Sequence, residues 1–360
     1  MEPIHVRATP GHYQCQQGVL DELPDRLEQG GFQNIFLIHG EKSWEAAAPY
    51  LPDLSRFKAA YSRYRGECSN AEITRQAELA RLHGADLIIG VGGGKVLDVA
   101  KAVANELLIE TALIPTLAST CAACTPLSVI YSEEGEFQKH IVYPRSTHLV
   151  LVEPEILLDS PPGFLRAGIG DTLAKWYEAR SIIETLPSHS VPIHFAYVAA
   201  KSCRDVLLEH GERALVDQRN NHLSESFIKV IETNLLTSGM VGGFGDEYGR
   251  VAGAHAIHNA LTHQPETHSF LHGEKVAYGI LAQLALEERW DEIKELIPFY
   301  ELVELPLSLA ELGITSDVQA KAVSKYATKE EETIHITKQV SPEELFNAIL
   351  KLEEMTKTVK

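Results

Sequence analysis

Two groups of residues in this chain have the types and spacing to do chemistry. The first is Gly90-Val91-Gly92-Gly93-Gly94-Lys95, with Asp98 and Lys101 following on what reads as a helix. Glycines let a backbone come close to a phosphate, and a helix N-terminus offers free N–H groups and the positive end of its dipole. The run is neither G-x-G-x-x-G nor a complete Walker pattern. Alone it reads as a phosphate cradle or as a tight strand–helix turn, and three consecutive glycines plus a lysine in that context favour the phosphate. The second group is spread over three segments: Gly168-Ile169-Gly170-Asp171-Thr172-Leu173, Ala254-His255-Ala256-Ile257-His258-Asn259 and His272-Gly273-Glu274-Lys275. His255 and His258 are three apart and share a helix face. One carboxylate and two imidazoles suit a divalent metal such as zinc or ferrous iron, with a position left open for water or substrate. A metal there could stabilise an alkoxide and ease hydride loss from its carbon. Plainer readings stand beside this one. A histidine on a helix is more often structural, and Asp171, at the expected start of a helix, could be an N-terminal acid favoured by the dipole. His263 and His268 enlarge the cluster or are solvated loop residues.

The elements that would position these groups fall into two halves. Asn34 to His39 (NIFLIH) and Ala85 to Ile89 (ADLII) read as buried strands, Thr111 to Ile114 as a short one, and His148 to Val152 (HLVLV) as the last of this half. Helices are expected over Ser69–His83, opened by a capping-box pattern of Ser69 and Glu72, and over Lys95–Glu106. Such alternation argues for a parallel sheet covered by helices. After Pro154, Pro161, Pro162 and Gly163 the periodicity becomes helical, at Asp171–Ile183, Pro192–His210, Ser224–Met240, Val251–Leu261, Val276–Glu288, Trp290–Leu302, Ser316–Ala327 and Pro342–Met355. The expectation is an α/β Rossmann-like domain over 1–160 and an all-α domain over 161–360.

Composition narrows the partners. The chain has 360 residues, more than one compact core usually holds, and a net charge of -18 from 32 Lys plus Arg against 50 Asp plus Glu. So acidic a protein repels phosphate backbones and anionic membranes, which argues against nucleic acid and lipid surfaces as partners. No apolar run reaches membrane-spanning length. Met1-Glu2-Pro3-Ile4-His5 has neither a basic n-region nor an apolar h-region, against a secretory signal. Five scattered cysteines fit reduced thiols in the cytoplasm better than a disulfide framework.

In combination these segments resemble the iron-containing alcohol dehydrogenase family, in its glycerol dehydrogenase-like branch. The resemblance is carried by GVGGGKVLDVAK (90–101), PTLAST (115–120), LSVIYSEEGEF (127–137), GIGDTLAKWYEAR (168–180), AHAIHNAL (254–261) and HGEKVAYG (272–279), in the family's order over most of the chain. It implies a dehydroquinate synthase-like fold, with a dinucleotide-binding domain, a helical domain and the active site between them. It implies NAD or NADP as cofactor, one metal on Asp171, His255 and His272, and a small-molecule substrate. The cofactor would lie against Gly92, Gly93, Gly94 and Lys95, with Asp98 near its nicotinamide end and Thr116, Thr120, Ser128 and Tyr131 lining the groove. His258 would join a proton relay. Many family members have a fourth ligand, a His four residues after the Asp. Here that residue is Lys175, as the glycerol dehydrogenase-like branch also lacks the ligand and tends to use zinc, so zinc is favoured over iron. A homo-oligomer, dimer or octamer, is the implied assembly.

Two departures bear on specificity. Glycerol dehydrogenases carry an Asp after AST, near substrate; here the run is Ala118-Ser119-Thr120-Cys121-Ala122-Ala123-Cys124-Thr125-Pro126. Cys121 removes an acceptor for polyol hydroxyls and a charge that repels carboxylates. The run is most similar to a hydroxycarboxylate dehydrogenase branch that reduces 2-oxo acids, so a 2-oxo acid is expected, with glycerol as the alternative. Arg250, and then Arg145, are candidates for the substrate carboxylate. The Cys121/Cys124 C-x-x-C belongs to this loop and is read as coincidental rather than redox-active. The strand at 35–40, which in NAD-preferring members often ends in Asp, here ends in Gly40. This relieves repulsion against a 2′-phosphate, which Lys42 and Ser43 could bind, while Glu41 could instead take the ribose hydroxyls of NAD. NADP(H) is expected to be accepted.

Overall fold

The computed structural model describes residues 4–359; Met1 to Pro3, the start of the segment read above for a leader, lie outside them. The first half holds β1 (His12–Cys15), α1 (Leu23–Gln29), β2 (Asn34–His39), α2 (Glu41–Ala47), β3 (Lys58–Arg63), α3 (Asn70–His83), β4 (Leu87–Gly92), α4 (Gly94–Leu107), β5 (Glu110–Pro115), β6 (Leu127–Tyr131), β7 (Phe137–Val142) and β8 (Leu149–Val152). Six strands form one sheet in the order β1-β8-β5-β4-β2-β3, every pairing parallel, while β6 and β7 form an antiparallel hairpin outside it. Central β4 is buried along its whole length, as a parallel strand covered on both faces must be. The chain visits β2 and β3 on one side of β4 and then crosses to β5 on the other. In such sheets ligands bind beyond the carboxyl ends of the strands where the order reverses, and Gly92-Gly93-Gly94 lies there.

From Pro154 onward the described residues form helices and no strand: α5 (Pro154–Leu158), α6 (Pro162–Ile183), α7 (Val191–Arg219), α8 (Glu225–Glu232), a π-helical stretch (Thr233–Thr237), α9 (Ser238–Gly245), α10 (Gly253–Thr262), α11 (His272–Leu286), α12 (Trp290–Leu302), α13 (Asp317–Ala327) and α14 (Pro342–Val359). None is long and apolar enough to cross a membrane. The expected α/β half followed by an all-α half is the architecture observed.

Several boundaries differ from expectation for physical reasons. Helix α6 starts at Pro162, where proline suits a first turn, so Asp171 lies in mid-helix and cannot be an N-terminal acid. Ser69 does cap α3, accepting from the Glu72 N–H at 3.2 Å, but the Glu72 carboxylate turns to Arg75 and Gln76 instead of closing the box. The helix expected over Ser224–Met240 is interrupted by the π-helical stretch, where Asn234 reaches across to the other half, its Nδ2 donating to the Ala118 carbonyl at 3.0 Å. That bond pins the 115–120 loop to the helical half beside α6.

Candidate active site

Helix α6 and the much later pair α10 and α11 bring Asp171, His255 and His272 together. Asp171 projects from the middle of α6, His255 from the first turn of α10 and His272 from the first residue of α11. One ligand atom from each lies within 4.8 Å of the others. Asp171 Oδ1 is 3.3 Å from His255 Nε2 and 3.4 Å from His272 Nε2. The ring nitrogens face it without hydrogen-bonding alignment, and this buried oxygen has no hydrogen-bond partner among the described residues. An orphaned buried carboxylate oxygen is costly. A dication between the three groups would satisfy it and both nitrogens, and one carboxylate with two imidazoles is a donor set zinc or ferrous iron accepts.

The surrounding charges agree with that fit. Burial would raise the Asp171 carboxyl, but Lys175, then His255 and His272, hold it well below the usual carboxylate range. Burial pulls the His255 imidazolium down, but Glu178 and then Asp171 together outweigh this and raise it to about 9. The anions that favour a proton on His255 also favour a metal cation beside it.

Glu178 is the residue that sequence reasoning missed. Its Oε2 lies 2.7 Å from His255 Nδ1, and its Oε1 accepts from the N–H groups of Ala252 at 2.7 Å and His255 at 2.9 Å. The carboxylate thus fixes the ring orientation, places the proton on Nδ1 and leaves Nε2 as the free donor atom. The available signal was its spacing: Asp171 and Glu178 are seven apart, two turns along one face of α6. Glu178→Gln is expected to weaken metal affinity about 10- to 100-fold with the fold intact, measured by competition with a chromogenic chelator. Unchanged affinity would show that Glu178 does not orient His255.

Of the two histidines sharing a face of α10, only His255 joins the cluster. His258 is buried, its ring 4.2 Å from that of His272, and its Nδ1 lies 3.2 Å from Asn259 Oδ1. Asn259 in turn donates to Glu332 at 3.1 Å. Burial, then His272 and His255, hold the His258 pKa well below its ordinary value. His263 stacks on Tyr326 and His268 faces the Thr262 carbonyl, away from the three ligating groups.

Opposite the cluster, Gly93 caps α4, and the first N–H groups of that helix lack intrahelical acceptors. A Cβ on Gly94 would sit 3.2 Å from the Thr120 hydroxyl oxygen, so the bare backbone keeps the turn open. Thr116 is buried, with its N–H on the Gly92 carbonyl at 3.0 Å. Other expected cofactor contacts are engaged elsewhere. Lys95 is exposed, its ammonium 2.5 Å from Glu67 and 5.1 Å from the centre of the Tyr131 ring, turned to the hairpin rather than back over the glycines. Asp98 is buried in an ion pair with Lys101 at 2.8 Å and accepts from the Val129 N–H at 2.9 Å. Lys101 continues to the carbonyls of Ala122 at 2.6 Å and Thr125 at 3.1 Å, so this pair clamps the loop holding Cys121 onto α4. Ser128 is fully buried and donates to the Asp98 carbonyl at 2.7 Å. The Gly40 N–H donates to Ser43 Oγ, whose hydroxyl donates to the Val91 carbonyl, both at 2.9 Å, joining the ends of β2 and β4. Lys42 is exposed there, and Glu41 pairs with Arg63 at 2.6 Å.

Cys121 is partly buried within electrostatic reach of Lys175 and Asp171, and burial pushes its thiol pKa up, keeping it neutral. The two arginine candidates fare worse. The Arg250 guanidinium is committed to Asp246 at 2.9 Å. Arg145 pairs with Glu110 at the amino end of β5, the end of the sheet away from the glycine turn.

Comparison with known proteins identifies the family and the fold. Residues 10–154 match the family described as iron-containing alcohol dehydrogenase. The chain is 41% identical to hydroxycarboxylate dehydrogenase A of Escherichia coli (strain K12), over 98% of both chains. It is also 41% identical to a glycerol dehydrogenase of Pseudomonas putida, over 96% of both. Among solved structures, a probable glycerol dehydrogenase from Sinorhizobium meliloti 1021 superposes with a TM-score of 0.88 at 31% identity, covering 98% of this chain and 99% of that one.

Proposed function

The chain belongs to the iron-containing alcohol dehydrogenase family, and from that premise we propose that it moves a hydride between NAD(P)H and a small 2-oxo acid, giving the 2-hydroxy acid. The chain is a metal-dependent, NAD-linked oxidoreductase acting on alcohol or hydroxy-acid carbons. Residues 1–160 are taken as the cofactor domain and 161–360 as the part that holds metal and substrate.

A dication held by Asp171, His255 and His272 supplies Lewis-acid polarisation of the substrate oxygen. The chain's own residues do the rest. The N–H groups at the start of α4 bind the cofactor phosphates across Gly92 to Gly94, with Thr116 and Thr120 along the groove. Glu178 keeps His255 Nε2 aimed at the cluster. With Nδ1 of His258 donating to Asn259, its Nε2 is left as acceptor beside His272, placed to take the carbinol proton in oxidation or return it in reduction. Lys175, where many relatives have a fourth ligand, supports zinc over iron. The five unpaired cysteines support a cytoplasmic enzyme. The exposed stripe of Val191, Phe195 and Val198 on α7 supports self-association into a dimer or octamer.

The observation that carries the substrate reading is the neutral Cys121 thiol beside Lys175, where polyol-oxidising relatives have a carboxylate. At the adenosine end, Gly40 without a carboxylate and the exposed Lys42 support use of NADP(H), and Glu41, already paired with Arg63, supports NAD(H) as well. The test is a panel with zinc-loaded enzyme: NADPH and NADH oxidation on 2-oxo acids and hydroxyacetone, and NAD⁺ and NADP⁺ reduction with glycerol. The expected result is a kcat/KM for a 2-oxo acid at least about tenfold above that for hydroxyacetone or glycerol, with NADPH accepted. Dominant glycerol turnover would restore the polyol reading, and a strong NAD preference would refute the cofactor reading.

A further inference from the structure

We infer that the ammonium of Lys175 binds the substrate carboxylate and sets the preference for acids over neutral carbonyls. This rests on the reading of the site as one for 2-oxo acids and names the residue that makes it so. Lys175 follows Asp171 by one turn of α6 and is only 8% exposed, with its Nζ 3.8 Å from Asp171 Oδ1. Among the described residues that Nζ donates no hydrogen bond. The contrast with the other lysine at this junction is plain: Lys101, also buried, is saturated by Asp98 and by the carbonyls of Ala122, Thr125 and Leu127. Lys101 is what a structural buried lysine looks like in this chain, whereas Lys175 keeps its donors uncommitted beside the ligand cluster.

Charge balance points the same way. Asp171 is shared between Lys175 and whatever cation His255 and His272 hold, and Glu178 is occupied by His255. With a dication in place, Lys175 brings the positive charge to three against these two carboxylates, one in excess. Cys121 and Cys203, the other titratable neighbours of Lys175, are thiols that burial pushes up and keeps neutral. A buried positive charge in excess is costly, and an incoming carboxylate relieves that cost while a neutral hydroxyl does not. In a 2-oxo acid the carboxylate and the reacting carbonyl sit on adjacent carbons, so one small molecule reaches both Lys175 and the ligand cluster, whose facing atoms are 3.8 Å apart.

The test compares Lys175→Met with the wild type in three readouts: steady-state kinetics on a 2-oxo acid and on hydroxyacetone, calorimetric binding of oxamate (a 2-oxo acid mimic whose amide carbonyl does not accept hydride), and bound metal per chain. The expected result is a KM for the 2-oxo acid and a dissociation constant for oxamate both raised about 10- to 100-fold. The KM for hydroxyacetone stays within about twofold, metal content is unchanged, and Lys175→Arg recovers part of the loss. Equal losses on both substrates, or loss of metal, would overturn the inference and make Lys175 a counter-ion for Asp171. Should Met not be tolerated, Lys175→Gln is measured in the same way. If the wild type reduces no 2-oxo acid, the substrate reading fails. The oxamate titration then decides on its own: binding that depends on Lys175 upholds the carboxylate site, and wild-type protein that binds no oxamate overturns it.

Discussion

Changing His272 to alanine is expected to remove bound metal and turnover together, lowering kcat/KM by about a thousandfold or more. His272 is the one member of the cluster supplied by α11, and its Nε2 faces Asp171 Oδ1 at 3.4 Å beside the His255 ring. Without it, Asp171 and His255 remain as two donors, too few for a closed or catalytic zinc site. The ring also opens the helix with 40% of its side chain exposed, so its loss leaves little buried void and the fold should survive. Metal analysis of the purified variant, beside NADPH binding followed by fluorescence, checks both halves of the expectation. Metal falls to background while cofactor affinity is retained, because the glycine turn is carried by a different half of the chain. Turnover persisting in metal-free protein would overturn the mechanism.

What could be read from the residues, and what could not, follows from which interactions are local. β2 matches expectation residue for residue because Ile35-Phe36-Leu37-Ile38 is an unbroken apolar run bounded by polar Asn34 and His39 and the following Gly40. The polar edge strand β3 (KAAYSR) and the exposed strand β7 (FQKHIV) carry no such run and went unread. Short β1 sits at the other edge and is held by pairing with β8 rather than by its own pattern. Within the site, the glycine turn was legible because strand, glycines and helix are contiguous. The ligand set was not legible from spacing. His255 and His258 looked like the natural pair by helical geometry, whereas the partner of His255 across the cluster is His272, brought there by the turn between α10 and α11. Family resemblance supplied that choice, and the geometry explains it. Lys175 and Glu178 were invisible as functional residues because their roles depend on what α10 and the Cys121 loop present to α6. Asp98 and Ser128 lie in a family motif, yet in the fold their polar atoms hold the loop onto α4.

The approach of the three ligand helices depends on glycine, which sets up the second large effect: Gly273→Ala should destabilise the protein by about 3 kcal/mol and weaken metal binding at the same time. A Cβ on Gly273 would overlap the Ala167 carbonyl oxygen of α6, and one on Gly170 would overlap the Gly273 carbonyl and stand 3.1 Å from the Ala277 Cβ. The two helices therefore cross backbone against backbone, and the crossing adjoins both Asp171 and His272. Farther along α11, a Cβ on Gly279 would overlap the Ala254 carbonyl at the start of α10, next to His255. No flexible side-chain end is available to yield at these contacts, so the helices must separate and carry the ligands apart. The sign makes the experiment decisive. By helix propensity alone, glycine to alanine inside a helix stabilises by about 0.5 to 1 kcal/mol. A lower thermal midpoint with reduced metal affinity in Gly273→Ala means that close backbone packing builds the site. A raised midpoint with full metal binding would mean that α6 and α11 can separate without cost, and that the ligands are held in register by something other than their crossing.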